Sequence, residues 1–108
     1  MWITVFRNRL RDDAGPGYAE QSTLMKRLAQ AQPGFVSIKT FTAEDGERVS
    51  LVEFESLETL LAWKNQPEHL EAQRLGREQF YAEYAIQSAE VARSYRWPAK
   101  SSPAETKA

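Results

Sequence analysis

Trp2-Ile3-Thr4-Val5-Phe6 is apolar at odd and even positions alike, and two later segments share that character. Successive side chains of a strand point to opposite faces. Trp2 and Phe6 therefore lie opposite Ile3 and Val5, Phe35 and Phe41 opposite Val36 and Ile38, and Val49 and Leu51 opposite Val52 and Phe54. A sheet wetted on one side would carry a polar set there. This sheet calls for cover on both faces. Helices of the same chain supply one cover. A second copy of the sheet is the simplest other, which predicts a symmetric homodimer packed sheet to sheet. The plainer alternative is a sheet that leaves several apolar side chains in water, as many do.

The rest of the chain supplies the helices. After a strand over residues 2–10, Asp12-Asp13-Ala14-Gly15-Pro16-Gly17 breaks the pattern. Helical spacing over 18–32 makes Leu24, Met25, Leu28 and Ala29 the buried stripe, and Gln32-Pro33-Gly34 stops it. Strands over 35–41 and 48–54 flank Asp45-Gly46, a strong hairpin signal. Ser56 is a plausible N-cap for a helix whose apolar face is Leu57, Leu60 and Leu61. Pro67 interrupts it and suits the first turn of a second segment, 68–84. Residues 85–97 read as the last strand, and 98–108 as a mobile tail without large apolar side chains. The order β-α-β-β-α-β predicts an α+β, ferredoxin-like domain over 1–97, with a four-stranded antiparallel sheet and both helices on one face.

Composition removes several function classes. Fourteen basic and fifteen acidic residues leave a net charge of −1, so nothing would neutralise a phosphate backbone and no nucleic-acid partner is expected. Without cysteine there is no thiolate nucleophile or Cys-ligated metal, and a single histidine excludes a multi-His metal site within one chain. The first residues lack the order of a signal peptide, and no apolar run is long enough to span a bilayer. The expectation is a soluble, cytoplasmic protein with no membrane partner.

Arg7-x-Arg9, Pro33-Gly34-Phe35, a helix centred on Trp63, a segment holding His69, and Gly76-Arg77-Glu78-Gln79-Phe80-Tyr81 follow one another in that order. In order and spacing they resemble the antibiotic biosynthesis monooxygenase family, over almost everything before the tail. The resemblance implies a ferredoxin-like fold dimerised into an α/β barrel, with a ligand cavity in each subunit between sheet and helices. It also implies oxidation of small electron-rich aromatics, such as anthrones, by molecular oxygen without cofactor or metal. Such a protein holds an ionised phenol or enol in an apolar pocket, promotes its deprotonation and keeps water out. A second branch of the fold degrades haem, using an Asn on the first strand, a Trp on the later helix and a His three turns beyond it. Here Gln73 occupies that place and His69 comes six residues after Trp63, across a proline. A third branch has the fold without assigned chemistry and would act as a ligand-binding or stress-response dimer.

Against that background each candidate has two readings. Trp63 is a cavity wall that stacks on a flat substrate, or a core residue, and the two are compatible. Asn8 shares a strand face with Trp2, Phe6 and Leu10; its amide bonds a substrate oxygen or nearby backbone. His69, close to a helix N-terminus that disfavours the imidazolium, is a neutral base or a capping or surface residue. Arg77, Tyr81 and Tyr84, at helical spacing, stabilise a phenolate or merely pair and pack. Arg93 faces the cavity, where it would assist charge development as His69 would, or the dimer interface with Tyr95. Phe6 and Phe80 complete the substrate contacts. Arg7, Arg9 and Arg11 are expected to pair with Glu53 and Glu55. A cavity of roughly 300 Å³ or more, lined by Trp63 and Asn8, would mark a ligand role.

Overall fold

A computed structural model describes residues 1–98; most of the expected tail, 99–108, lies outside the described residues. The elements are β1 (Trp2–Leu10), α1 (Gly17–Gln30), β2 (Phe35–Thr42), β3 (Arg48–Phe54), α2 (Leu57–Lys64), α3 (Pro67–Leu75), a π-helical turn (Gly76–Phe80) and β4 (Tyr81–Glu90). The sheet order is β2-β3-β1-β4 with every neighbour antiparallel. This is the ferredoxin-like arrangement, with the helical layer split into α2 and α3 by Pro67.

Phe54 is fully buried and joins Ala29, Leu60 and Trp63 in the core, with Trp2, Met25, Leu28, Phe35 and Val52 packed around them. The register makes one sheet face from Trp2, Phe6 and Asn8 of β1 with Phe54, Val52, Ser50 and Arg48 of β3. That face looks at the helices. A bulge between Phe35 and Ser37 then shifts β2 by one residue. Ile38 consequently joins Phe35 on the helix side, while Val36 and Phe41 are exposed. Strict alternation had placed Phe35 with Phe41 and Val36 with Ile38; one extra residue in the ladder regroups them.

Two helical stripes are narrower than their spacing implies. Leu24 stands outside the buried stripe of α1, and Leu57 and Leu61 are exposed on α2, which buries Leu60 and Trp63. The expected helix over 68–84 is the largest departure. It ends at Leu75, and the π turn carries the chain into β4 at Tyr81. The expected strand over 85–97 correspondingly ends at Glu90, and Tyr95 and Trp97 are largely exposed.

Gly34 makes the turn into β2 at φ +80, a conformation L side chains rarely adopt, and a methyl there would lie 2.6 Å from the Thr59 side chain. Thr59 is also half of the Ser56–Thr59 capping box that starts α2. Gly34→Ala is therefore expected to cost about 1–3 kcal/mol in urea denaturation, through strain and forced displacement of the cap.

Candidate functional site

The site is built where α2 ends and α3 begins. Asn65 closes α2, its Nδ2 donating to the Leu61 carbonyl at 3.0 Å. Gln66 is extended (φ −63, ψ 133), as the residue before a proline should be, and Pro67 opens α3. The Gln66 side-chain oxygen then accepts the His69 backbone N–H at 2.8 Å. This sharp turn folds His69 back over the helix just completed. Its ring lies on the Trp63 indole with centroids 4.0 Å apart and planes 11° from parallel.

His69 Nδ1 is 2.9 Å from the Trp63 carbonyl oxygen. A carbonyl can only accept, so Nδ1 carries the hydrogen and the lone pair stands on Nε2. Burial pushes the imidazole below its ordinary pKa of 6.5, and the Lys64 charge adds to this against the Trp63 carbonyl bond. The ring is therefore neutral near pH 7, with a free basic nitrogen.

His69 and Trp63 form one wall of a cavity of about 160 Å³ between the sheet and the helices. Phe6, Ile38, Val52 and Ser50 form its floor on the sheet, and Tyr18 and Met25 of α1 line it from the helical side. Thr40 and Ser50 hydroxyls bond each other at 2.8 Å on that floor. The space is about half the lower bound expected from sequence. An interplanar stack of two side chains occupies volume that a larger ligand would need.

The residues named from sequence fall into three groups. Phe6, Trp63 and His69 line the cavity. Asn8, Phe80 and Tyr81 support it. Asn8 is almost fully buried beside its cross-strand partner Arg48 rather than on the cavity wall, and its Oδ1 has no hydrogen-bond partner. Phe80 packs edge-on against Tyr18 at 5.5 Å, and Tyr81 packs edge-on against Phe6 at 5.5 Å. The Tyr81 hydroxyl donates to Tyr18 Oη at 3.4 Å. Burial, then the neighbouring Tyr18 hydroxyl, raises the Tyr81 pKa, so Tyr81 stays protonated and is a donor, not a base.

Arg77 and Arg93 stand apart, and Tyr84 lines a second cavity with Asn8. Arg77 is exposed on the π turn, and Tyr81 and Tyr84 lie on β4, so the three do not share a helix face. A register shift in the β1–β4 ladder nevertheless brings Tyr81 and Tyr84 to the Phe6 side, where Tyr84 packs on Phe6 at 5.8 Å. Arg93 lies beyond β4, 6.0 Å over the Tyr95 ring, both exposed. The arginines of β1 and Arg11 just after it also pair differently from expectation: Arg7 with Glu47, Arg9 with Asp45 and Glu83, and Arg11 with Asp13. Antiparallel pairing puts the hairpin end of β3, not Glu53 or Glu55, beside them.

Sequence reasoning missed Arg48, Tyr18 and Lys26, all on the cavity wall. The Arg48 guanidinium lies 5.0 Å over the Tyr18 ring. Arg48 opens a strand and Tyr18 opens a helix, places where polar and aromatic residues are ordinary. Only the pairing of Arg48 with Asn8 across the β1–β3 ladder could have linked them.

The sequence profile of the family described as antibiotic biosynthesis monooxygenase matches residues 1–75. The uncharacterized protein YqjZ of Bacillus subtilis is 28% identical over 92 residues, covering 85% of this chain and 81% of the relative. Among solved structures, Rv0793 from Mycobacterium tuberculosis superposes with a TM-score of 0.77 at 19% identity, over 88% of this chain and 98% of that one. A crystal structure of an antibiotic biosynthesis monooxygenase gives a TM-score of 0.74 at 9% identity, over 86% and 100%. These two likenesses concern the fold.

Proposed function

The chain belongs to the antibiotic biosynthesis monooxygenase family, and we propose that it oxidises a small phenolic aromatic with molecular oxygen, without a cofactor, in the cavity beside His69. The observation that carries this reading is the His69 ring itself: neutral, tautomerically fixed by the Trp63 carbonyl, and facing an aromatic-lined space. Nε2 takes the phenolic proton. The resulting anion is electron-rich enough to reduce oxygen directly. For naphthol the balance closes: one oxygen atom enters at a ring carbon, and the other leaves as water with the ring and hydroxyl hydrogens. The substrate supplies all four electrons, and the product is a naphthoquinone.

A cavity of about 160 Å³ suits one or two fused rings better than the three of an anthrone. It also does not fit haem. A tetrapyrrole would have to displace the Trp63–His69 stack, and Gln73 is a poor iron ligand. An oxygen electrode with 1-naphthol and a chelator present tests the reading: one oxygen consumed per quinone formed supports it. Binding of naphthol without oxygen uptake would instead make the protein a non-catalytic aromatic-binding module.

The same reading includes a twin subunit on the bare sheet face. Ile3, Val5, Val49 and Leu51 form an apolar strip there, with Val36 and Phe41 exposed beside it. The helices cover only the other face. Arg7–Glu47 and Arg9–Asp45 form a charged rim at one end, the arrangement of an apolar centre and polar edge typical of interfaces. Among the described residues no helix is long and apolar enough to cross a membrane, and a second copy is the cover the reading adopts. Val49→Asp should convert a dimer to monomer in sedimentation equilibrium; a monomeric wild type would remove the twin.

A further inference from the structure

Arg48 is the one strand arginine with no carboxylate. Arg7 and Arg9 on the neighbouring strand, and Arg11 just beyond it, each hold at least one, at 2.9, 2.8 and 2.8 Å. Among the described residues Arg48 makes no ion pair, although it is partly buried and its Nε is sealed from solvent without a hydrogen-bond partner. Its cross-strand neighbour Asn8 also keeps Oδ1 unpartnered, and the two do not bond each other. A buried donor on a charged group left unpaired is costly, and such a group calls for an explanation. Arg48 lines the cavity, as does Lys26 of α1, and among the described residues no carboxylate does. The Tyr18 ring under the guanidinium at 5.0 Å holds it in place without neutralising it.

Resting on the reading of this cavity as an aromatic site, we propose that it selects aromatic carboxylates, the carboxylate docking on Arg48 with Lys26 at the rim. The two Nη groups of a guanidinium present paired N–H donors that match the two oxygens of a carboxylate, so one interaction supplies charge and orientation. The ring then lies among Phe6, Tyr18 and Trp63, with its free edge toward His69. The substrate class is a hydroxylated one- or two-ring aromatic acid.

Isothermal titration with 2-naphthoate and its neutral counterpart 2-naphthamide tests this at pH 7.5. The expected wild-type result is at least tenfold tighter binding of the carboxylate, with the preference shrinking as salt is added. Arg48→Met should reduce the preference to within about twofold, by weakening the carboxylate far more than the amide, and should melt no lower than wild type because it removes an unpaired charge. Lys26→Met, at an exposed position of α1, should reduce the preference a few-fold and guards against loss of folding in the first variant. Equal binding of the two probes, or a preference that survives Arg48→Met, overturns the proposal while leaving the aromatic site standing. Failure of both probes to bind the wild type removes the aromatic site and this proposal together.

Discussion

His69→Gln is expected to slow oxygen uptake with a phenolic substrate by about 10²–10⁴-fold, the usual contribution of a positioned general base. The loss should appear in kcat, with KM little changed, because proton removal is felt in the transition state rather than in binding. The acid limb of the pH–rate profile should report the same group. Burial holds His69 below its ordinary 6.5, so the wild-type rate should persist below pH 6.5 and fall only when Nε2 is protonated; in His69→Gln that limb should vanish. Stability follows with its own sign. The unfolded imidazole titrates near 6.5 and binds protons that the folded one refuses, so stability is full above that value. It declines as pH falls from there toward the depressed folded pKa. Urea denaturation between pH 5 and 8 measures this slope, and His69→Gln should flatten it.

Phe54→Ala should produce the largest loss of stability, about 3–5 kcal/mol, a large share of what a domain of this size possesses. Phe54 is fully buried, pairs across the ladders with Trp2 and Phe35, and meets the Phe35 ring edge-on at 5.9 Å. It also belongs to the cluster that holds Trp63, so the cavity wall depends on it. Urea midpoints of the wild type and the variant give the difference. A loss under about 1 kcal/mol would mean that the core has relaxed around the missing ring, which a cluster this tightly shared does not favour.

Most of the fold was legible because it rests on local signals that agree. A run of β-branched and aromatic residues gave β1, Asp45-Gly46 gave the hairpin, and Ser56 and Pro67 gave the helix starts. The site was legible in part for the same reason. Trp63 and His69 stood out as single residues of their kind in a helical segment, but their contact did not, since six residues along one straight helix would not stack them. Pro67 breaks that geometry, and the stack follows from the break. The stretch 76–84 misled because helical spacing and strand alternation overlap over a few residues, and a π turn has no periodic signature of its own. Arg48 was hidden for a different reason. Its significance lies in a missing partner, and an unpaired charge can be recognised only when every neighbour is in place.

The central claim is that the chain's one histidine is a neutral base with its lone pair on Nε2. Because it is the sole imidazole, long-range ¹H–¹⁵N correlation spectra of uniformly labelled protein report it without ambiguity. The predicted result is a single neutral tautomer protonated at Nδ1 at pH 7, a titration midpoint below 6.5, and a change at Nε2 when naphthol is added. A hydrogen resident on Nε2, or a midpoint at or above 6.5, would contradict it.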